Sequence, residues 1–252
     1  MASRLAFWRR EAEDAASDEA HAKPGLLSDF ILGSQDGLVN VLGVILGVAV
    51  ASQEIRVILA GGLAATFAES ISMGAVAYTS TLARRDHYQS EVDRERQEMV
   101  ELPDVEREEV RKVFEEWGYA GRELEDLTDK IVGNPKAWLE FMMAHELKLA
   151  PVNKTQARRS AVLVGVAAIV GSIIPLIPFL RYWGGATWDE ILVAIFASLA
   201  VSAVTLFVIG WYKGKATIGR PYRSGTQMLI IGIVSALAGF GVAYLVGGPI
   251  TP

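Results

Sequence analysis

ILVAIFASLAVSAVTLFVI, residues 191–209, contains no charged side chain. Wound as a helix at 1.5 Å per residue, it matches the roughly 30 Å hydrocarbon thickness of a bilayer. Ala161–Leu180 and Met228–Val246 are equally free of charge, and Val57–Met73 carries only Glu69. Four such windows exclude an ordinary soluble fold, because each would need burial on every side. Hydrophobic residues make up 51% of the 252-residue chain, and the mean hydropathy is positive.

Outward from these windows, the chain divides at its helix breakers. Pro24–Gly25 precedes a first span over about Leu26–Ala51, and a second runs from about Arg56 to Leu82. Three more are expected at about 160–180, 188–212 and 226–248. Pro175 and Pro178, Gly184–Gly185, Arg220–Pro221 and Gly247–Gly248–Pro249 punctuate them. The first 24 residues carry Glu11, Glu13, Asp14, Asp18 and Glu19 and no long apolar run. They read as a tail with a short amphipathic turn at Phe7–Trp8, not as a signal peptide. Residues 82–159 are of a different composition, with 18 acidic and 14 basic residues.

Lysine and arginine set the expected orientation. The tail carries Arg4, Arg9, Arg10 and Lys23, and the link between spans four and five carries Lys213, Lys215, Arg220 and Arg223. Only Arg56 and Arg181 fall on the opposite side. All the basic segments share one side only if there are five spans, which makes the tail and the acidic segment cytoplasmic.

The acidic segment is helical by pattern. No breaker interrupts the second span before Met99, so that helix is expected to continue out of the membrane. Pro103–Asp104 starts another helix, ended by Gly118, with Val110, Val113, Phe114 and Trp117 on one side. Arg122–Val132 forms a third, with Leu124, Leu127 and Ile131. Asn134–Pro135 is an N-cap and first-turn pair for a fourth, which contains Trp138, Met142, Met143 and Glu146.

Two sets of residues suggest chemistry. Asp36, Asn40, Gly43 and Gly47 share one face of the first span, and Gly62, Thr66, Glu69, Met73 and Ala77 share one face of the second. A carboxylate in mid-membrane costs roughly 2.5–3.5 kcal/mol. Asp36 and Glu69 therefore either line a cation or proton path or, protonated, hold neighbouring helices together. The Gly43-xxx-Gly47 spacing permits close helix contact. Outside the membrane, Glu91, Glu95 and Glu98 share a face, and Glu106 and Glu109 repeat the three-residue spacing. Such carboxylates on facing helices hold metals in helical bundles. On spacing alone, a solvated face with Arg94, Arg96, Arg107 and Arg111 as partners is the stronger reading. Met142–Met143 beside Glu146 and Met73 beside Glu69 shift the balance, since a thioether added to carboxylates suits a softer ion such as ferrous iron.

Other classes find no support. There is no cysteine, and the net charge is −5, which argues against thiolate metal sites and nucleic-acid binding. His21, His87 and His145 form no spaced cluster. There is no nucleotide-binding loop and no nucleophile–base arrangement, so the chain reads as neither an enzyme nor a nucleotide-driven pump.

Four stretches, SDFILGSQDGLVN (28–40), AESISMGAVAY (68–78), WLEFMMAHEL (138–147) and TLFVIGWYKG (205–214), resemble the vacuolar iron transporter family, which includes the yeast calcium-sensitive cross-complementer type. The likeness covers about residues 26–248 in order and spacing. It is loose over 110–134, and the first 25 residues do not share it. A related group carries a ferritin-like domain before the membrane part, which the short N-terminal tail leaves no room for.

The resemblance implies a homodimer of five-span subunits that moves ferrous iron, and in some members manganese, out of the cytosol in exchange for protons. It places the path at the dimer interface, lined by the first spans. Asp36 and Met73 match the family's in-membrane metal residues, with Glu69 and Asn40 nearby. Glu95, Glu98, Glu106, Glu109, Met142, Met143 and Glu146 match its cytoplasmic ligand positions.

The expected protein is thus all-α and integral to the membrane. A cytoplasmic tail (1–25) precedes spans one and two (26–82), a cytoplasmic helical metal-binding domain (83–159) and spans three to five (160–252). Lipid, protons and a second copy are its partners. Fe2+ is the cargo, with Mn2+, Co2+ and Zn2+ as further candidates. The membrane would be vacuolar in a eukaryote and the inner (plasma) membrane in a prokaryote. The alternatives are a membrane-anchored iron buffer and a Mn2+-selective exporter.

Overall fold

A computed structural model describes residues 24–217 and 219–247. The sequence's N-terminal tail with Phe7–Trp8, and the break at Gly248–Pro249, lie outside the described residues. The described chain is helical, in the order α1 Pro24–Ser52, α2 Ile55–Glu101, α3 Pro103–Glu116, α4 Gly121–Val132, α5 Pro135–Phe141, a π-helical turn Met142–Glu146, α6 Lys154–Leu180, α7 Trp188–Ala216 and α8 Pro221–Gly247. Among the described residues five helices, α1, α2, α6, α7 and α8, are long and apolar enough to cross a membrane.

Local chemistry explains the helix ends. Pro103 and Pro135 occupy first-turn positions, where a missing N–H costs nothing. The Asn134 side chain accepts from the backbone N–H groups of Lys136 and Ala137 at 3.1 and 3.3 Å. Thr187 and Glu190 form a reciprocal capping box at the start of α7. α2 runs without a break for 47 residues. At 1.5 Å per residue that is about 70 Å, more than twice a bilayer core, so its C-terminal part extends beyond the membrane.

The chain forms two compact units. One takes in the residues up to Ser70 and those from Val166 onward; the other is Ile71–Gly165. Both divisions fall inside continuous helices, α2 and α6.

In the first unit α1, α7 and α8 pack against one another. Leu42, Ile45, Ile58, Leu176, Phe179, Ile191 and Ala236 form its buried core. Lipid supplies no hydrophobic drive between helices, so close packing and interhelical hydrogen bonds hold them. Ser198 on α7 donates to the carbonyl of Pro175 on α6 at 2.7 Å. Gly171 on α6 lies directly on the Ser34 backbone of α1, where an added Cβ would collide with it. Gly37 packs likewise on the Ala168 carbonyl. Gly171→Val is therefore expected to cost about 3 kcal/mol or more, seen as a lowered unfolding temperature in detergent; an unchanged value would refute the contact.

In the second unit α3 packs on α4, α4 on α5, and both α3 and α5 on the π-helical turn. Val110, Phe114, Leu124, Trp138, Phe141 and Met142 form its core. Val110, Phe114 and Leu124 lie on the apolar faces expected from three- and four-residue spacing, with Trp117 at the exposed edge.

Candidate functional site

Within the first unit, α1 supplies Asp36 and Asn40 and α2 supplies Glu69. Asp36 and Glu69 are half-buried, and Asn40 is exposed. The Glu69 carboxyl is close enough to the side chains of Asp36 and Asn40 for both to act on it. Three of the in-membrane residues singled out by spacing thus come together. Met73, one turn further along α2 and half-buried, belongs to the other unit. Two carboxyls in contact repel unless a proton or a cation lies between them. The low-dielectric surroundings sharpen that requirement.

The second unit carries a similar carboxyl pair. Glu95 on α2 and Glu106 on α3 are only 2% and 4% exposed, and their side chains hydrogen-bond each other. One oxygen of each, Glu95 Oε1 and Glu106 Oε2, is buried without a hydrogen-bond partner. Glu98 and Glu109 stand half-buried, and Glu146 is exposed at the edge.

The Glu95 carboxyl is pushed up to about 8, first by burial, then by its hydrogen bond to Glu106 and repulsion from Glu106, Glu146 and Glu98. Glu106 is raised by burial, with repulsion from Glu109 and Glu98 adding to it. Glu146 is raised by partial desolvation of its carboxyl and repulsion from Glu109 and Glu106. Glu95, Glu98, Glu106 and Glu109, singled out by their spacing, and Glu146, singled out beside Met142–Met143, therefore act on one another across α2, α3 and the π-helical turn.

The arginines divide unevenly among these acids. Arg107 bonds Glu125 and Asp129, each at 2.8 Å. Arg111 bonds Glu108 at 3.0 Å, Glu125 at 3.2 Å and Glu115 at 3.5 Å. Arg96 pairs with Asp93 at 3.3 Å. Arg94 reaches Glu91 at 2.6 Å and Glu98 at 3.7 Å. Among the described residues, Glu95, Glu106, Glu109 and Glu146 appear in no ion pair. Asp93, Glu108, Glu115, Glu125 and Asp129 are thus neutralised by arginines, and the buried Glu95 and Glu106 are not. Arg94 is the residue that spacing undervalued: its position three after Glu91 and four before Glu98 marks it as their shared partner.

The methionines are more deeply placed than the spacing suggested. Met142 is fully buried and packs in the core of the unit, and Met143 is 3% exposed. The helix expected to run from Asn134 through Glu146 ends as an α-helix at Phe141. Met142–Glu146 forms a π-helical turn instead, closed by the Leu147 N–H donating to the Met142 carbonyl at 3.0 Å. That wider turn changes how Met142 and Glu146 stand relative to each other, and such turns recur at functional sites. His145 packs on Trp117 and Phe141, with ring centroids 5.0 and 4.8 Å away. His87 lies 3.9 Å from Glu91. Among the described residues, no three histidine, aspartate or glutamate side chains already converge as a ligand shell. The glutamates are neighbours whose oxygens would have to draw together around an ion.

The profile described as "VIT family" matches residues 27–244. "Vacuolar iron transporter 1" of Oryza sativa subsp. japonica is 33% identical over 239 residues, covering 92% of each chain. "Vacuolar iron transporter 2" of the same plant is 34% identical over 226 residues, covering 89% of each. The chain is also similar to "Vacuolar iron transporter cccA" of the fungus Arthroderma benhamiae, 27% identical over 237 residues, covering 90% of this chain and 82% of that one.

Proposed function

The chain belongs to the VIT family, and on that premise we propose that it transports ferrous iron out of the cytosol across a membrane in exchange for protons. The observation that carries the reading is the pair of carboxyl–carboxyl contacts, Asp36–Glu69 within the spans and Glu95–Glu106 outside them. Each needs a positive charge between its two groups, and either a proton or a divalent ion supplies it. A carboxylate must lose its proton to bind metal, so occupation by one ion expels the other. Exchange then requires no nucleotide.

In this mechanism Glu95, Glu98, Glu106, Glu109 and Glu146 capture Fe2+ at the cytoplasmic mouth. The buried, unpartnered oxygens of Glu95 and Glu106 are the first to gain from it. Met142 and Met143 offer thioethers at the same turn as Glu146, favouring ferrous iron over harder ions. Asp36, Asn40 and Glu69 carry the ion through the membrane. Asn40 is exposed on a single chain, which supports a path completed by a second copy in a homodimer. The loop charges support a cytoplasmic place for residues 83–159, in a vacuolar or a plasma membrane.

The test is uptake into proteoliposomes with an acidic lumen. Fe2+ is expected to enter, to stop entering when a protonophore collapses the gradient, and to be displaced by Mn2+, Co2+ and Zn2+ to an extent that ranks selectivity. Uptake indifferent to the gradient would overturn proton exchange, and no uptake at all would overturn transport.

A further inference from the structure

We propose that Arg94 is a tethered counter-cation of the glutamate cluster, standing in for part of the metal's charge and limiting how tightly a divalent ion is held. The inference rests on the capture site proposed above. Arg94 lies on α2 between Glu91 and Glu98, with its Nε and Nη2 at 3.1 and 2.6 Å from one Glu91 oxygen and Nη1 3.7 Å from Glu98. Its charge also interacts with that of Glu95, and it acts on Glu106 and Glu146. One guanidinium thus lies in the field of five carboxyls. Arg96, Arg107 and Arg111 are instead engaged with Asp93, Glu108, Glu115, Glu125 and Asp129.

The two contacts of Arg94 are unequal, and its side chain is 51% exposed. The short bond to Glu91 anchors it, while the longer reach to Glu98 yields readily. A divalent ion arriving at Glu98 and Glu95 repels the guanidinium, which turns toward solvent about its Glu91 anchor. At the few-ångström separations involved, a unit charge near a protein surface changes affinity by about tenfold or more. Salt screening reduces the effect only in part. A transport site needs that correction, since an ion held by five carboxylates with no opposing charge would enter well and leave slowly.

The test uses the full chain in detergent with Mn2+ as the probe, because it resists oxidation, at alkaline pH so that proton competition does not mask the charge effect. Titration is expected to show Arg94→Gln binding Mn2+ about tenfold tighter than the unaltered protein, with Arg94→Lys close to unaltered. In proteoliposomes Arg94→Gln should lower KM and kcat together. A merely structural arginine predicts the opposite sign, so weaker or unchanged binding in Arg94→Gln overturns the proposal. Failure of the capture site itself looks different: the unaltered protein would then bind no Mn2+ that Glu106→Gln abolishes, and both readings fall.

Discussion

Replacing Asp36 by alanine is expected to reduce acid-driven Fe2+ uptake to the level of protein-free liposomes, while the chain stays folded and keeps its metal binding outside the membrane. The expectation follows from the cost of the residue. A mid-membrane carboxyl costs roughly 2.5–3.5 kcal/mol, so Asp36→Ala removes an expense to stability. What it takes away is one half of the Asp36–Glu69 contact. Glu69 alone can carry a proton or bind an ion weakly, but it no longer offers two oxygen donors facing each other across α1 and α2. Thermal unfolding in detergent, measured beside transport, separates lost chemistry from lost fold. A membrane-anchored buffer has no use for Asp36, so full protection of iron-sensitive cells by Asp36→Ala would favour buffering over transport.

Glu106→Gln is expected to weaken metal binding outside the membrane by at least about a hundredfold, the upper range for losing even an outer-shell partner, and Glu95→Gln likewise. Glutamine keeps the shape and burial of the pair but cannot ionise, so the unit should fold as before. The pH dependence has a definite sign. The Glu95 carboxyl is raised to about 8, so below the ordinary carboxylate range its protonated form contributes full stability. That stability falls as pH climbs through about 8. Metal affinity moves the other way, rising with pH up to about 8 as the competing proton leaves. Ion binding measured by titration across this range should follow that curve, and in Glu95→Gln both dependences should flatten. An affinity independent of pH would remove Glu95 and Glu106 from the ligand set.

Some of this was legible residue by residue. In lipid every backbone polar group must be satisfied within its own segment, so an uncharged run of that length has no option but a helix. Composition alone therefore located α1, α2, α6, α7 and α8. Asn134 and Pro103 announce helix starts because caps act within one turn of chain. The glutamate spacing correctly put Glu95 and Glu98 on one face and Glu106 and Glu109 on another. It left open whether arginines covered them, because a period of 3.6 residues says which side chains share a face and not which helix that face meets.

The tertiary structure decided those meetings. α4 brings Glu125 and Asp129 to Arg107 and Arg111, drawing two of the four candidate cations away from the inner glutamates. α2 and α3 press Glu95 and Glu106 together and bury them. The π-helical turn at Met142–Glu146 also lies beyond local reading, since its extra residue per turn is stabilised by packing against the core of the unit. Helices and their ends came from interactions a few residues long, which a sequence contains in full. The pairing of Glu95 with Glu106 and of Arg107 and Arg111 with α4 came from partners on other helices, up to 22 residues away, which only the packed chain brings into range.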